Sequence, residues 1–216
     1  MDIVFLDLAK TFDKVPRKRL VEKVAKHGIG GRLYKVTENW LSGRKQRVCI
    51  KGCESSWQAV LSGVPQCSVL GSVLFLIFIN NLDEIIRNFI LKFADDTKVF
   101  GKTIDDNDKC KLQEDLNKFV SWAQKWKMEF NVRTCKVMHT GNTNNKFSYE
   151  MNGKVLDKVL VEKDLGIMIS SDVKSSQQCV VACNKANRVL GMIRRTISYK
   201  EQRMMVNLVA LVRPQS

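Results

Sequence analysis

The sequence predicts an α+β fold, an antiparallel sheet with helices on one face and a helical C-terminal appendage. Three observations carry that expectation. An apolar strand opens the chain, two short apolar segments flank a carboxylate-bearing bend near residue 95, and a long amphipathic helix follows. Residues 2–8 are apolar apart from Asp2 and Asp7 and read as a buried strand. Pro16 then stands where a helix can begin and Gly28 where it can end, with Leu20 and Val24 facing inward. A second helix fits residues 32–41, with Leu33, Val36 and Trp40 on its inward side. Residues 46–50 and 57–61 read as strands around a glycine-containing turn. Leu70, Leu74, Ile77 and Leu82 recur at near-helical spacing over residues 69–87. Residues 90–94 and 99–100 flank Asp95-Asp96-Thr97-Lys98, a tight hairpin with two carboxylates at its bend.

Residues 108–126 form the clearest helix, with Leu112, Leu116, Phe119, Val120, Ala123 and Trp126 in one stripe. Residues 131–139 end in a strand, and Asn152-Gly153 marks a second hairpin. Cys179, Cys183, Ala186, Leu190, Ile193 and Ile197 lie on one helical face, where small cysteines pack as hydrophobes. The polar stretch 140–146 is the linker candidate, dividing residues 1–140 from residues 141–216.

Composition narrows the function. In 216 residues, 44% hydrophobic and 27% charged content is that of a folded chain rather than a disordered one. The net charge of +14 favours a polyanionic partner. The longest strictly apolar run, residues 73–79, is far short of the about 20 residues that cross a bilayer, so no transmembrane helix or membrane partner is expected. The start of the chain carries no secretory pattern. Seven cysteines, an odd number, argue against a disulfide framework and for a reducing intracellular compartment. The pairs Cys49/Cys53 and Cys179/Cys183 lack zinc-site spacing, and His27 and His139 stand alone.

Three acids lie where acids are costly. Asp7 follows Ile3-Val4-Phe5-Leu6, and Asp95-Asp96 follow Ile90-Leu91-Lys92-Phe93-Ala94. Carboxylates at the ends of buried strands need a cation to offset desolvation and mutual repulsion. Oxygen ligands suit Mg²⁺ or Mn²⁺, and two such ions about 4 Å apart can clamp a phosphoryl transfer. Taken alone, an Asp-Asp pair reads first as an ordinary turn.

Longer strings carry a resemblance. Phe5-Leu6-Asp7-Leu8-Ala9-Lys10-Thr11-Phe12-Asp13-Lys14-Val15, Ser62-Gly63-Val64-Pro65-Gln66-Cys67-Ser68-Val69-Leu70-Gly71, Leu74-Phe75-Leu76-Ile77-Phe78-Ile79-Asn80-Asn81-Leu82 and Phe93-Ala94-Asp95-Asp96-Thr97 occur in that order. Residues 126–141, 162–166 and 185–191 complete the set. In this order the strings resemble the motifs of the reverse transcriptases of non-LTR (LINE-type, jockey-like) retrotransposons.

The resemblance implies a right-hand polymerase palm, with a partial helical thumb and the fingers largely missing. It implies RNA-directed DNA polymerase activity, with an RNA template, a DNA primer, dNTPs and two Mg²⁺ (or Mn²⁺) ions. On that reading Asp7, Asp95 and Asp96 are catalytic and bind metal, beside the backbone oxygen of Leu8. Phe12 lies under the sugar and excludes a 2′-hydroxyl, Gln66 contacts the incoming nucleotide, and Lys136 assists the leaving pyrophosphate. Arg17, Lys18 and Arg19, and Arg44, Lys45 and Arg47, are clusters available to phosphates.

The chain departs from the pattern at four points. Cys67 stands where the family has glycine, Ser72 where proline is common, and Asn81 where aspartate is common. Thr134 precedes Cys135 where the family has lysine, which leaves Lys136 as the nearest base. The rival expectation is a catalytically degenerate remnant that binds nucleic acid.

Overall fold

The computed structural model describes residues 1–141 and 143–196, which fall into two units. The first takes in residues 1–139 and 143–158, the second residues 140–142 and 159 onward.

The first unit is built on a five-stranded sheet. Its strands, in spatial order, are β11 (Asp157–Lys158), β8 (Lys136–His139), β1 (Asp2–Leu6), β7 (Asp96–Gly101) and β6 (Phe89–Phe93). All neighbours are antiparallel except β11 and β8. Val4 sits opposite both Val99 and Val137, so the three valines share one face. That face joins a single apolar cluster with Leu20 and Val24 of α2 (Arg17–Lys26), Leu74, Phe75 and Phe78 of α4 (Val69–Ile79), and Leu112, Leu116 and Phe119 of α5 (Asp106–Trp126). The expected α+β arrangement is therefore present.

Between these lie α1 (Thr11–Lys14), α3 (Gly31–Leu41) and an exposed double ribbon. In the ribbon β2 (Lys45–Gln46) pairs with β5 (Gln58–Ala59), and β3 (Cys49–Ile50) with β4 (Cys53–Glu54). The α5 helix is capped by Asp105, whose side chain accepts the Asp108 N–H at 2.8 Å. The predicted 69–87 helix ends at Ile79 and continues as a 3₁₀ turn over Asn80–Ile85.

Four local expectations are corrected. The inward face of α3 is Thr37 and Leu41, while Leu33 and Val36 are exposed. Tyr34, with Thr37 and Leu41, lies a third of a turn round from the predicted stripe. The hairpin bend is Ala94-Asp95, and Asp96 already pairs with Phe93 as the first residue of β7. The stretch after residue 140 is not a free tether: Asn144 donates to the Asp2 carboxylate at 2.7 Å. The buried Asp2 also accepts from Tyr149 at 2.7 Å and meets His139 Nδ1 at 2.7 Å. Finally, Cys179 and Cys183 are exposed rather than buried. Of the remaining stripe Ile193 is buried, and Ile197 lies outside the described residues.

The first unit runs on to Lys158 because β11 pairs with β8 and the next hairpin is tied to α5. That hairpin is β9 (Glu150–Met151) and β10 (Lys154–Val155), closed by Asn152-Gly153 at φ 51° and 73°. Gln113 brackets Glu150, donating to its carbonyl at 2.8 Å and accepting its N–H at 2.9 Å. In the second unit, β12 (Val161–Asp164) pairs with β13 (Ile167–Ser170), against which α6 (Ser176–Thr196) packs.

One buried cation has a measurable consequence. Lys23, 5% exposed, donates to the Phe78 carbonyl and the Asn81 side-chain oxygen, with its ammonium 3.9 Å from the Trp126 ring centroid. Burial lowers its pKa to about 8; Glu84 opposes that shift, and Lys26 and Lys92 add to it. The unfolded chain therefore holds this proton to higher pH than the folded one, and stability rises as pH climbs through 8. Between pH 7 and 9 the gain should be about 1 kcal/mol. Above that range the raised pKa values of Cys135 and Tyr149, both buried, turn the curve down. Asn81→Asp puts a carboxylate in direct contact with the ammonium, so urea titrations should show a more stable protein at pH 7 and a flattened rise. A variant with an unchanged pH profile contradicts this account.

Candidate active site

The carboxylates are placed by strand register. Leu6 is paired with Thr97, so the next rung sets Asp7 across from Asp96, and Asp95 occupies the adjoining two-residue bend. Ala94, the first bend residue, has φ 53°, the positive value that two-residue hairpin turns demand. An L side chain there costs about 1–2 kcal/mol.

Other buried acids are consumed by the core. Asp115 accepts from the Arg87 and Asn88 N–H groups, the Asn88 amide and Lys118 at 2.9–3.1 Å. Asp7 is different: only its Oδ2 is engaged, by the Thr134 hydroxyl at 2.6 Å and the Asn131 amide at 3.5 Å. Asp95 makes no side-chain hydrogen bond or ion pair among the described residues.

These donors suit a hard cation in chemistry, carboxylate oxygens at the edge of a sheet. Among the described residues, no group of three or more His, Cys, Asp or Glu side chains is placed to hold a metal ion. Mg²⁺ characteristically takes one or two carboxylates and completes its shell with water and substrate phosphates. The half-open pair fits that habit. The Leu8 carbonyl accepts the Thr11 hydroxyl at 2.7 Å, leaving one of its two lone pairs. Lys136 stands opposite Phe5, two residues before Asp7 along β1, on the face shared by Phe5 and Lys98.

The Ser62–Gly71 string acts as a strap. Ser62 donates to the Asp13 carbonyl at 2.7 Å, the Gly63 N–H to Val15 at 2.8 Å, and the Val64 N–H to Phe12 at 2.7 Å. The strap holds the backbone of α1, and the Phe12 ring lies 5.1 Å from that of Phe75. Ser68 then caps α4, accepting the Gly71 N–H at 3.0 Å and donating to the Pro65 carbonyl at 2.9 Å. A Cβ on Gly71 would lie 2.1 Å from that carbonyl. Gln66 and Cys67 form the exposed turn between them, with Cys67 at φ 56°.

Two arginines expected at phosphates are used internally. Arg17 donates to the carbonyls of Leu41, Val60 and Leu61, and Arg44 to those of Leu41, Ser62 and Gly63. They staple the ends of the exposed ribbon to the body, because a guanidinium can serve several carbonyls at once. Burial, with the neighbouring Arg17, lowers the pKa of Arg44. Arg47 pairs with Glu54 and stacks 4.6 Å from the Trp57 ring. Lys18 and Arg19 do line a cleft of about 710 Å³ with Lys14, Arg17 and Lys127; none of the three aspartates borders it.

Neither Asn131 nor Thr134 is among the site residues that the sequence predicts, although both lie in the quoted 126–141 string. Their signal was positional, since Thr134 replaces the lysine of the resembled motif.

The sheet thus presents acids at the end of one strand and at the turn of the neighbouring hairpin. The family model described as reverse transcriptase (RNA-dependent DNA polymerase) matches residues 2–192. The RNA-directed DNA polymerase from mobile element jockey of Drosophila funebris is 32% identical over 179 residues, covering 76% of this chain and 19% of that protein. Its Drosophila melanogaster counterpart is 31% identical over 183 residues, covering 80% and 20%. The chain belongs to the reverse transcriptase family, and it spans about a fifth of the length of the curated relatives it matches.

Proposed function

We propose that this chain carries the catalytic palm of an RNA-directed DNA polymerase of a jockey-like non-LTR retrotransposon, with residues of the second unit leading towards a thumb. The observation that carries the proposal is the β1–β7 register, whose next rung sets Asp7 across from Asp96, beside the Ala94-Asp95 bend. Two Mg²⁺ ions held by Asp7, Asp95 and Asp96 would activate the primer 3′-hydroxyl and offset charge on the triphosphate. Phe12 stands on the strapped helix as the barrier to a 2′-hydroxyl, Gln66 in the exposed turn meets the incoming nucleotide, and Lys136 faces the pyrophosphate. RNA template and DNA primer bind through their phosphates, consistent with the +14 charge and the basic cleft. Mg²⁺-dependent incorporation of labelled dNTP on an RNA template with a DNA primer tests this. Incorporation that persists in excess chelator contradicts it.

A second reading, a degenerate remnant that only binds nucleic acid, is favoured by Cys67, which places a side chain at φ 56° where the family has glycine. Cys67→Gly removes about 1–2 kcal/mol of strain against about 0.5–1 kcal/mol of added chain entropy. The variant should be more stable by up to about 1 kcal/mol in urea titration, and should incorporate dNTP faster. Silence in both chains, with salt-sensitive RNA binding retained, supports the remnant.

A further inference from the structure

Asp7 is held through its backbone and one carboxylate oxygen by one short turn. Residues 131–134 form it, closed by the Thr134 and Cys135 N–H groups donating to the Asn131 carbonyl at 2.9 and 3.1 Å. The turn is fixed to the end of β1 through the backbone. The Asn131 N–H donates to the Asp7 carbonyl at 2.8 Å, the Ala9 N–H to the Glu129 carbonyl at 2.8 Å, and Leu8 bridges Phe130. The Asp7 N–H points at the sulfur of the fully buried Cys135, 3.4 Å away.

We propose that Thr134 is a positioning residue for Asp7, its hydroxyl fixing Oδ2 so that Oδ1 faces a divalent cation. The proposal rests on the reading of Asp7 as a cation ligand. The hydroxyl has one proton and two acceptors in reach, Oδ2 at 2.6 Å and the Asn131 carbonyl at 2.9 Å. The ionised acceptor is nearer and makes the stronger, charge-assisted bond, so it takes the proton. The Asn131 amide, at 3.5 Å, is at the limit of hydrogen bonding and adds little. No other side chain among the described residues bonds to this carboxylate. Thr134 therefore sets its rotation, and as a neutral donor it does so without cancelling the charge that attracts a metal. Residues behind a ligand commonly change metal affinity or activity 10–100-fold. Because the backbone bonds anchor the turn independently, loss of the hydroxyl should spare the fold.

The test is a Mn²⁺ titration of the full 216-residue chain, following free Mn²⁺ by electron paramagnetic resonance, beside steady-state dNTP incorporation. Thr134→Val should weaken Mn²⁺ binding about 10-fold and lower kcat by a similar factor, with KM for dNTP and the melting temperature unchanged. Thr134→Ser should restore both. Wild-type Mn²⁺ affinity in Thr134→Val overturns the proposal, as does a serine variant as weak as the valine one. Asp7→Asn separates the two levels. Lost Mn²⁺ binding there, with none lost in Thr134→Val, removes the positioning role and leaves the metal site. Wild-type Mn²⁺ binding in Asp7→Asn removes the metal site and the positioning role together.

Discussion

Asp95→Asn is expected to lower dNTP incorporation about a thousandfold or more while leaving the fold intact. The amide keeps the shape of the side chain and removes the charge that, on the proposed reading, would hold a cation. A lost metal ligand withdraws several kcal/mol of stabilisation from the reaction's transition state, and each 1.36 kcal/mol is about tenfold in rate. Stability should not fall, because the Asp95 side chain makes no hydrogen bond among the described residues and lies on a bend. A melting temperature equal to wild type, with incorporation lost and RNA binding kept, is the expected set. Incorporation at the wild-type rate assigns the chemistry to other residues.

Gly63→Ala should produce a large loss of stability. A Cβ there would lie 2.5 Å from the Phe12 carbonyl oxygen and 2.7 Å from the Asp13 Cα, both backbone atoms. Backbone cannot swing aside as a side chain can, so α1 or the strap must shift. The residue also sits at φ 82°, where alanine is strained by about 1–2 kcal/mol. Together these amount to about 3 kcal/mol or more, a large part of a typical folding free energy. Gly153→Ala is the control. It has a similar φ of 73° but nothing within 4 Å, so it should lose only the strain contribution. Thermal melts of the two variants measure the difference. Equal losses would mean that the contact with α1 does not constrain the strap. The shift should also loosen Phe12, so the Gly63 variant should discriminate less between dNTP and NTP.

The elements that could be read from the sequence are those in which local pattern and tertiary packing agree. The 106–126 helix has its cap, its stripe and its length in one stretch, and Asn152-Gly153 dictates its own turn. The candidate site rests on acids beside apolar strands, which are costly there, and on the length of the motif strings. What was hidden depends on contacts distant in sequence. The α3 stripe was misjudged because Leu33 and Val36 are apolar but remain exposed, which periodicity alone cannot foresee. Arg17 and Arg44 looked available to phosphates because carbonyl acceptors leave no trace in composition. The bend begins one residue before the Asp-Asp pair because Ala94, not a glycine or an asparagine, takes the positive φ. Thr134 reaches Asp7 across 127 residues of sequence, and no spacing rule links them.

The central claim is that Asp7 shares divalent cations with the neighbouring Asp95 and Asp96. Crystals of the chain soaked in Mn²⁺, with diffraction recorded at the manganese absorption edge, test it most directly. The account predicts an anomalous peak about 2 Å from oxygens of both Asp7 and Asp95. Anomalous peaks only at other residues, with the two carboxylates ordered and bare, would contradict it.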